Sequence, residues 1–276
     1  NGTLLPKEDV VLHCHDLSIL RGYGLFDFFL VRDFQPLFLE DYLDRFEASA
    51  RFLRLPLAMS RQALRQAIEQ LIACNGRADA AIRLVLTGGY SMDGYRPAEP
   101  NFLILEHPYP ARDERAYQQG VRLLSFPYVR TFPTVKTTNY AVGIHQLPRL
   151  QRAGAVDVLF HQDGWLSETQ RANFFIVAED GVVATPAEGI LRGVTRKQVL
   201  ALARQRFPVE ERPVHMEELK RAREAFLTSS TKGVLPVVQV DDIVIGDGKP
   251  GPCSQTLGRA FQERVEAYVK NPSESP

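Results

Sequence analysis

Val135-Lys136-Thr137-Thr138-Asn139-Tyr140 follows Pro133 and sets one lysine ahead of small hydroxyl and amide side chains. Alone it reads as a solvated charge on a turn entering a helix, because most lysines are exposed. Three downstream clusters change that reading. Trp165-Leu166-Ser167-Glu168-Thr169-Gln170-Arg171-Ala172-Asn173-Phe174-Phe175-Ile176-Val177 puts one acidic residue just before a strongly apolar strand. Gly189-Ile190-Leu191-Arg192-Gly193-Val194-Thr195-Arg196 opens a helix with a glycine and a hydroxyl, which presents backbone N–H groups to an anion. Leu227-Thr228-Ser229-Ser230-Thr231-Lys232-Gly233 is a hydroxyl-rich turn after another strand, suited to the same task. An amine, a carboxylate and two anion cradles are the parts that pyridoxal phosphate requires: the lysine for a covalent imine, the acid for the pyridine nitrogen, the cradles for the phosphate.

The bulk composition is neutral on partners. With 276 residues the chain has room for two domains of ordinary size. Lys plus Arg and Asp plus Glu both number 33, so no global field favours nucleic acid or an anionic membrane. Cys14, Cys74 and Cys253 are scattered without metal-ligand spacing, which suggests neither a disulfide framework nor a metal site and fits a reducing cytoplasm. No apolar run is long enough to span a bilayer and no signal peptide is visible.

The periodicities predict an α+β chain. Leu25 to Val31 and Pro36 to Leu39 read as a β-hairpin, preceded by the glycine-punctuated Ser18 to Gly24. Leu43, Phe46, Ala50 and Leu53 form a helical stripe, with Arg45 off it, and a second helix starts at Ser60 as N-cap. Strands over Ala80 to Thr87 and Phe102 to Glu106 flank a glycine-rich loop of the kind that shapes active-site mouths. From His107 to Tyr117 the apolar pattern lapses, marking a linker. The expected organisation is a small N-terminal α/β domain over 1–110, a linker over 111–118, a larger C-terminal α/β domain over 119–270 that holds the cofactor, and a disordered tail over 271–276. Within the second domain, helices are expected at Val142 to Arg152, Thr195 to Arg206 and Ser254 to Val269, and strands at Val121 to Phe126, Val156 to His161, Phe174 to Val177, Ala225 to Ser229 and Val237 to Val240.

In order and wording these motifs resemble the class IV aminotransferases, the fold-type-IV pyridoxal-phosphate enzymes, from about Asp16 to Phe261. The nearest likeness is to D-amino acid aminotransferases, through Arg21-Gly22-Tyr23, Asp44-Arg45-Phe46, Ile190 to Arg196 and Gly246-Asp247-Gly248-Lys249. The resemblance implies a homodimer in which Lys136 is the imine-forming lysine and Glu168 pairs with the pyridine nitrogen. Arg45, Val194, Thr195 and Ser230 would take the phosphate, and Tyr140 and Asn173 complete the expected cofactor-binding set. Residue types agree with those roles. A lysine can serve as a neutral amine that moves a proton, a carboxylate favours pyridinium, and a guanidinium offers a planar fork to a dianion.

The substrate-facing positions depart from the family. D-amino acid aminotransferases usually carry a Tyr-Glu pair in the first hairpin, where this chain has Leu30-Val31, and an Arg-x-His unit where it has Tyr90 to Arg96. Arg83 interrupts the apolar run Ala80 to Leu86 and needs an anion, either the substrate α-carboxylate or an internal Asp or Glu. Arg21 of a neighbouring subunit, Thr231 and Arg96 complete the expected substrate set; Arg171 either braces Glu168 or decorates the surface. The expected activity is transfer of an amino group from an amino acid, of D configuration, to a 2-oxo acid such as 2-oxoglutarate. The rivals are a branched-chain aminotransferase, with Phe26, Phe28, Phe29 and Leu30 lining an apolar pocket, and aminodeoxychorismate lyase. A cofactor-binding module without turnover is the remaining, non-enzymatic reading.

Overall fold

Alternation and helical stripes build two compact units in the computed structural model, which describes residues 2–271. The first gathers the described residues of Asn1–Pro110, Val135–Asn139 and Tyr268–Pro276; the second gathers Ala111–Thr134 and Tyr140–Ala267. The disordered tail expected over 271–276 falls, apart from Asn271, outside the described residues.

In the first unit, α1 (Leu17–Leu20) leads into β1 (Gly24–Arg32), β2 (Gln35–Pro36), α2 (Leu39–Phe52), α3 (Arg61–Asn75), β3 (Ala80–Thr87) and β4 (Phe102–Pro108). The sheet order is β2-β1-β3-β4, antiparallel throughout. The expected second hairpin strand shrinks to β2 because Phe38 takes a left-handed conformation and α2 begins at Leu39. Ser60 caps α3 as expected, its hydroxyl accepting from the Ala63 N–H at 3.2 Å. One sheet face buries Leu25, Phe29, Val31, Ile82 and Leu84, and the apolar stripes of α2 and α3 (Leu43, Phe46, Leu64, Ile68) are buried too. The other face, with Phe26, Phe28, Arg83, Val85, Leu103 and Leu105, is only half-buried. That contrast follows from the period of two in a strand.

The second unit runs α4 (Glu114–Gln119), β5 (Val121–Pro127), α5 (Ala141–Ala153), β6 (Asp157–Gln162), β7 (Trp165–Thr169), β8 (Asn173–Val177), β9 (Val183–Thr185), α6 (Val194–Ala203), β10 (Val209–Glu211), β11 (Glu224–Ser229), β12 (Gly233–Val240), β13 (Ile243–Val244) and α7 (Pro252–Lys270). The sheet order is β10-β9-β8-β11-β12-β5-β6-β7 with β13 on β12; the Glu168–Asn173 pairing returns β7 to β8, so the strands from β8 through β7 close on themselves. Its core includes Leu123, Leu159, Phe174, Ile176, Leu227 and Val237. Glu224 ties α7 down: its carboxylate accepts from the Cys253 and Ser254 backbone N–H groups and the Ser254 hydroxyl, each at 2.8 Å. Among the described residues no helix is long and apolar enough to cross a membrane.

Candidate active site

The lysine stretch is laid along β1 of the first unit. The Phe26 N–H donates to the Lys136 carbonyl at 2.9 Å, the Thr138 N–H to the Gly24 carbonyl at 3.0 Å, and Leu25 bridges Thr137. The Thr138 hydroxyl donates to the Gly22 carbonyl at 3.2 Å, so the residues behind the lysine act as a clip. Buried Val135 anchors the other side. This fixes the side chain over the half-buried sheet face, with Nζ 4.8 Å from the centre of the Phe26 ring.

Arg83 shares that face. Its guanidinium carbon lies 5.4 Å from the Phe26 ring centre and 5.6 Å from that of Phe28. Its Nε is buried without a hydrogen-bond partner, and among the described residues no carboxylate pairs with it. Two aromatic rings and no anion leave this cation ready for an anionic ligand. On the opposite face Asp27, fully buried, holds Arg45 in a bidentate pair: Nη2 to Oδ1 at 2.6 Å and Nε to Oδ2 at 2.9 Å. Phosphate contact by Arg45 therefore has to use the other edge of its fork. Asp27 carries the same sequence signal as Arg83, a lone charge inside an apolar run, here Leu25 to Val31.

The second unit carries the acid. Glu168, at 3% exposure, receives Arg130 Nη1 on Oε1 at 2.6 Å, and Asn173 Nδ2 and the Leu191 N–H on Oε2, both at 3.1 Å. Every one of these partners is a donor, the environment an ionised carboxylate takes. Arg130 was not anticipated, since its irregular segment between β5 and α5 has no periodicity to betray burial. Arg171, offered as a brace for Glu168, instead pairs with Asp157 at 3.4 Å and is half-exposed.

Next to the acid, α6 begins at Gly193, whose cap carries no side-chain hydrogen bond, with Val194 and Thr195 buried in the first turn. A Cβ on Gly193 would run into Asn173 Oδ1, so any larger residue requires Asn173, tied to Glu168 and the Leu191 carbonyl, to shift. The Thr228 and Ser229 hydroxyls at the end of β11 are buried without a hydrogen-bond partner. Orphan hydroxyls and uncapped helix N–H groups are acceptor-seeking groups of the kind a phosphate satisfies, and the ionised Glu168 suits a protonated ring nitrogen; the residues present fit pyridoxal phosphate. Ser230 is half-buried in the same turn and Thr231 is exposed. Tyr140 stands at the N-cap of α5.

The remaining expected substrate residues lie in the first unit and are exposed. Arg21 donates to the Leu20 carbonyl at 2.9 Å, and Arg96, 88% exposed in its side chain, lies 3.6 Å from Asp93. Phe29 leaves the expected apolar lining because alternation turns it into the core. Among the described residues no group of acidic, cysteine or histidine side chains is arranged to hold a metal.

Residues 24–240 match the amino-transferase class IV family. The chain belongs to that family, whose members are pyridoxal-phosphate-dependent and act on amino acids and 2-oxo acids. Over 270 residues it is 25% identical to a D-alanine aminotransferase of Bacillus licheniformis, covering 96% of this chain and 95% of that protein. It is 28% identical over 274 residues to a putative branched-chain-amino-acid aminotransferase of Methanocaldococcus jannaschii, covering 95% and 94%. The fold matches that of the Escherichia coli branched-chain amino acid aminotransferase at a TM-score of 0.88 and 26% identity, covering 95% of this chain and 92% of that one. A hypothetical aminotransferase from Mycobacterium tuberculosis, solved in a PLP-bound form, matches at a TM-score of 0.83 and 26% identity, covering 96% and 97%.

Proposed function

We propose that the protein is a homodimeric transaminase that moves the amino group of a D-amino acid to a 2-oxo acid such as 2-oxoglutarate in two half-reactions. The observation that carries this reading is Arg83, a half-buried guanidinium with no anion of its own, on the sheet face over which Lys136 reaches Phe26. When bound, pyridoxal phosphate supplies the electrophilic aldehyde and a ring able to take up the electron pair left at the substrate Cα. Lys136 Nζ would hold the cofactor and, as a neutral amine, move the proton at the substrate Cα. Glu168 would pair with the ring nitrogen, and Arg130 and Asn173 keep its carboxylate oriented. The first turn of α6, Ser229, Ser230 and the outer edge of Arg45 take the phosphate. Arg83 binds the α-carboxylate, joined by Arg21 of the second subunit. The D configuration is supported by the motif likeness and by the D-alanine aminotransferase relatives.

A second reading, a branched-chain L-amino acid aminotransferase, is favoured by the apolar company of Arg83: Phe26, Phe28, Val85, Leu103 and Leu105 share its face. Titrating the holoprotein with the D and L forms of alanine, glutamate and leucine while following cofactor absorbance tests both. Loss of the cofactor's visible band with the D forms alone is expected; a response to L-leucine alone favours the second reading. Pyruvate released without an amino acceptor indicates the lyase. An Arg83→Ala enzyme whose Michaelis constant for the amino acid is unchanged refutes the carboxylate assignment.

A further inference from the structure

The half-buried face of the first sheet carries a second polar side chain that the site described above does not use. His107 lies on β4 opposite Ala81, while Arg83 lies opposite Leu105. Both side chains therefore leave the same face, diagonal to each other across the β3–β4 pair, a separation of about 7–8 Å that long side chains bridge. Phe28 stands beside both, 5.6 Å from the Arg83 guanidinium carbon and 6.4 Å from the His107 ring. Along β1 and its neighbours this makes a row of Lys136, Phe26, Arg83, Phe28 and His107.

Two atoms in that row lack what they need. Arg83 Nε and His107 Nε2 are both buried with no hydrogen-bond partner. Buried polar atoms are satisfied in more than about nine cases in ten, so two on one face mark an absent acceptor. Glu106 does not supply it: opposite Ile82 it leaves the other face, where Arg77 lies 3.7 Å away. Burial first, then the charges of Arg83 and Lys7, holds His107 below the usual histidine range. A neutral imidazole keeps one N–H to donate and needs no counter-ion before ligand arrives. The small side chain of Ala81 beside it adds no bulk at that end of the face.

We propose that His107 is a specificity-determining residue that binds the distal carboxylate of a dicarboxylic amino acid or 2-oxo acid whose α-carboxylate sits on Arg83. The proposal rests on the Arg83 assignment made above. The short carbon chain of aspartate or glutamate then lies along Phe28, between the two side chains.

Binding of glutarate and of propionate to the holoenzyme, followed through the cofactor's absorbance, tests this without turnover. His107→Leu is expected to lower the preference for glutarate over propionate about tenfold, the worth of one hydrogen bond to a charged group. His107→Gln, which restores a donor, recovers most of that preference. An unchanged preference in His107→Leu, or equal weakening of both ligands, overturns the proposal. If the leucine variant does not fold, His107→Phe serves in its place with the same expected and refuting results. Arg83→Gln separates the two assignments: unchanged propionate binding there removes the Arg83 reading, whereas lost propionate binding with an unaltered glutarate preference in His107→Leu removes only the His107 one.

Discussion

Removing Asp27 is expected to cost the first unit stability on a scale the geometry sets. Its carboxylate, 1% exposed in the side chain, meets Arg45, 11% exposed, through contacts of 2.6 and 2.9 Å, and also accepts from the Phe28 N–H at 2.7 Å. With so little solvent to screen it, stranding the guanidinium by Asp27→Ala costs about 3–5 kcal/mol. Two charge-assisted hydrogen bonds at about 1.5–3 kcal/mol each sum to about 3–6 kcal/mol, which overlaps that range. Arg45→Met strands the acid instead and belongs in the same window, while the double variant recovers part of the loss because neither charge is left alone. Urea unfolding of the cofactor-free protein, with slopes compared across variants, measures each arm. A coupling energy of at least about 1.5 kcal/mol is expected from the cycle. Coupling below about 0.5 kcal/mol refutes the reasoning, since contacts that close in a dry site cannot be energetically silent.

Three further outcomes follow from the second unit and from the α1 turn. Gly193→Ala drives a methyl group into Asn173 Oδ1, 2.2 Å from the ideal Cβ, so cofactor affinity measured by equilibrium titration should fall at least about tenfold; an unaltered affinity shows that Asn173 yields freely. Arg130→Leu removes the 2.6 Å partner of Glu168 and is expected to shift the cofactor's absorption spectrum and its pH titration, whereas a spectrum identical to that of the parent rules out any hold of Arg130 on the ring through Glu168. Burial raises the Asp16 carboxyl, but hydrogen bonds from Thr87, Ser18 and Asn101 outweigh it and leave it below the usual aspartate range. A depressed native value means stability that is present above the unfolded-state value and lost on acidification through the native one. Asp16→Asn should therefore be less stable than the parent at neutral pH, with the gap closing as pH falls below the ordinary carboxylate range; a gap constant with pH contradicts this.

How much of this was legible beforehand depended on whether a residue's neighbours in sequence are also its neighbours in space. Ser60 as a cap and the stripe through Leu43, Phe46 and Ala50 are local, and the structure has them where periodicity put them. The glycine at 193 announced a helix start, yet its fit against Asn173 depends on a strand twenty residues earlier in the chain. Arg83 stood out as a charge inside an apolar run and Asp27 carries the same signal, but nothing in the runs says that Asp27 finds a partner on α2 and Arg83 finds none. Arg171 and Arg130 show the same limit from the other side. The arginine three residues from Glu168 pairs elsewhere, and the one in an irregular segment well upstream takes the carboxylate.

Period, caps and motif order are written along one dimension, so the longer helices and strands, the family and therefore the cofactor were legible in the chain, whereas α4 and the strands β7, β9, β10 and β13 were not. Only the tertiary structure decided which charges meet. Ion pairing falls off within ångströms, and the sheet registers that bring Phe26 and Arg83 onto one face and send Asp27 to the other are fixed by packing of residues far apart in the chain.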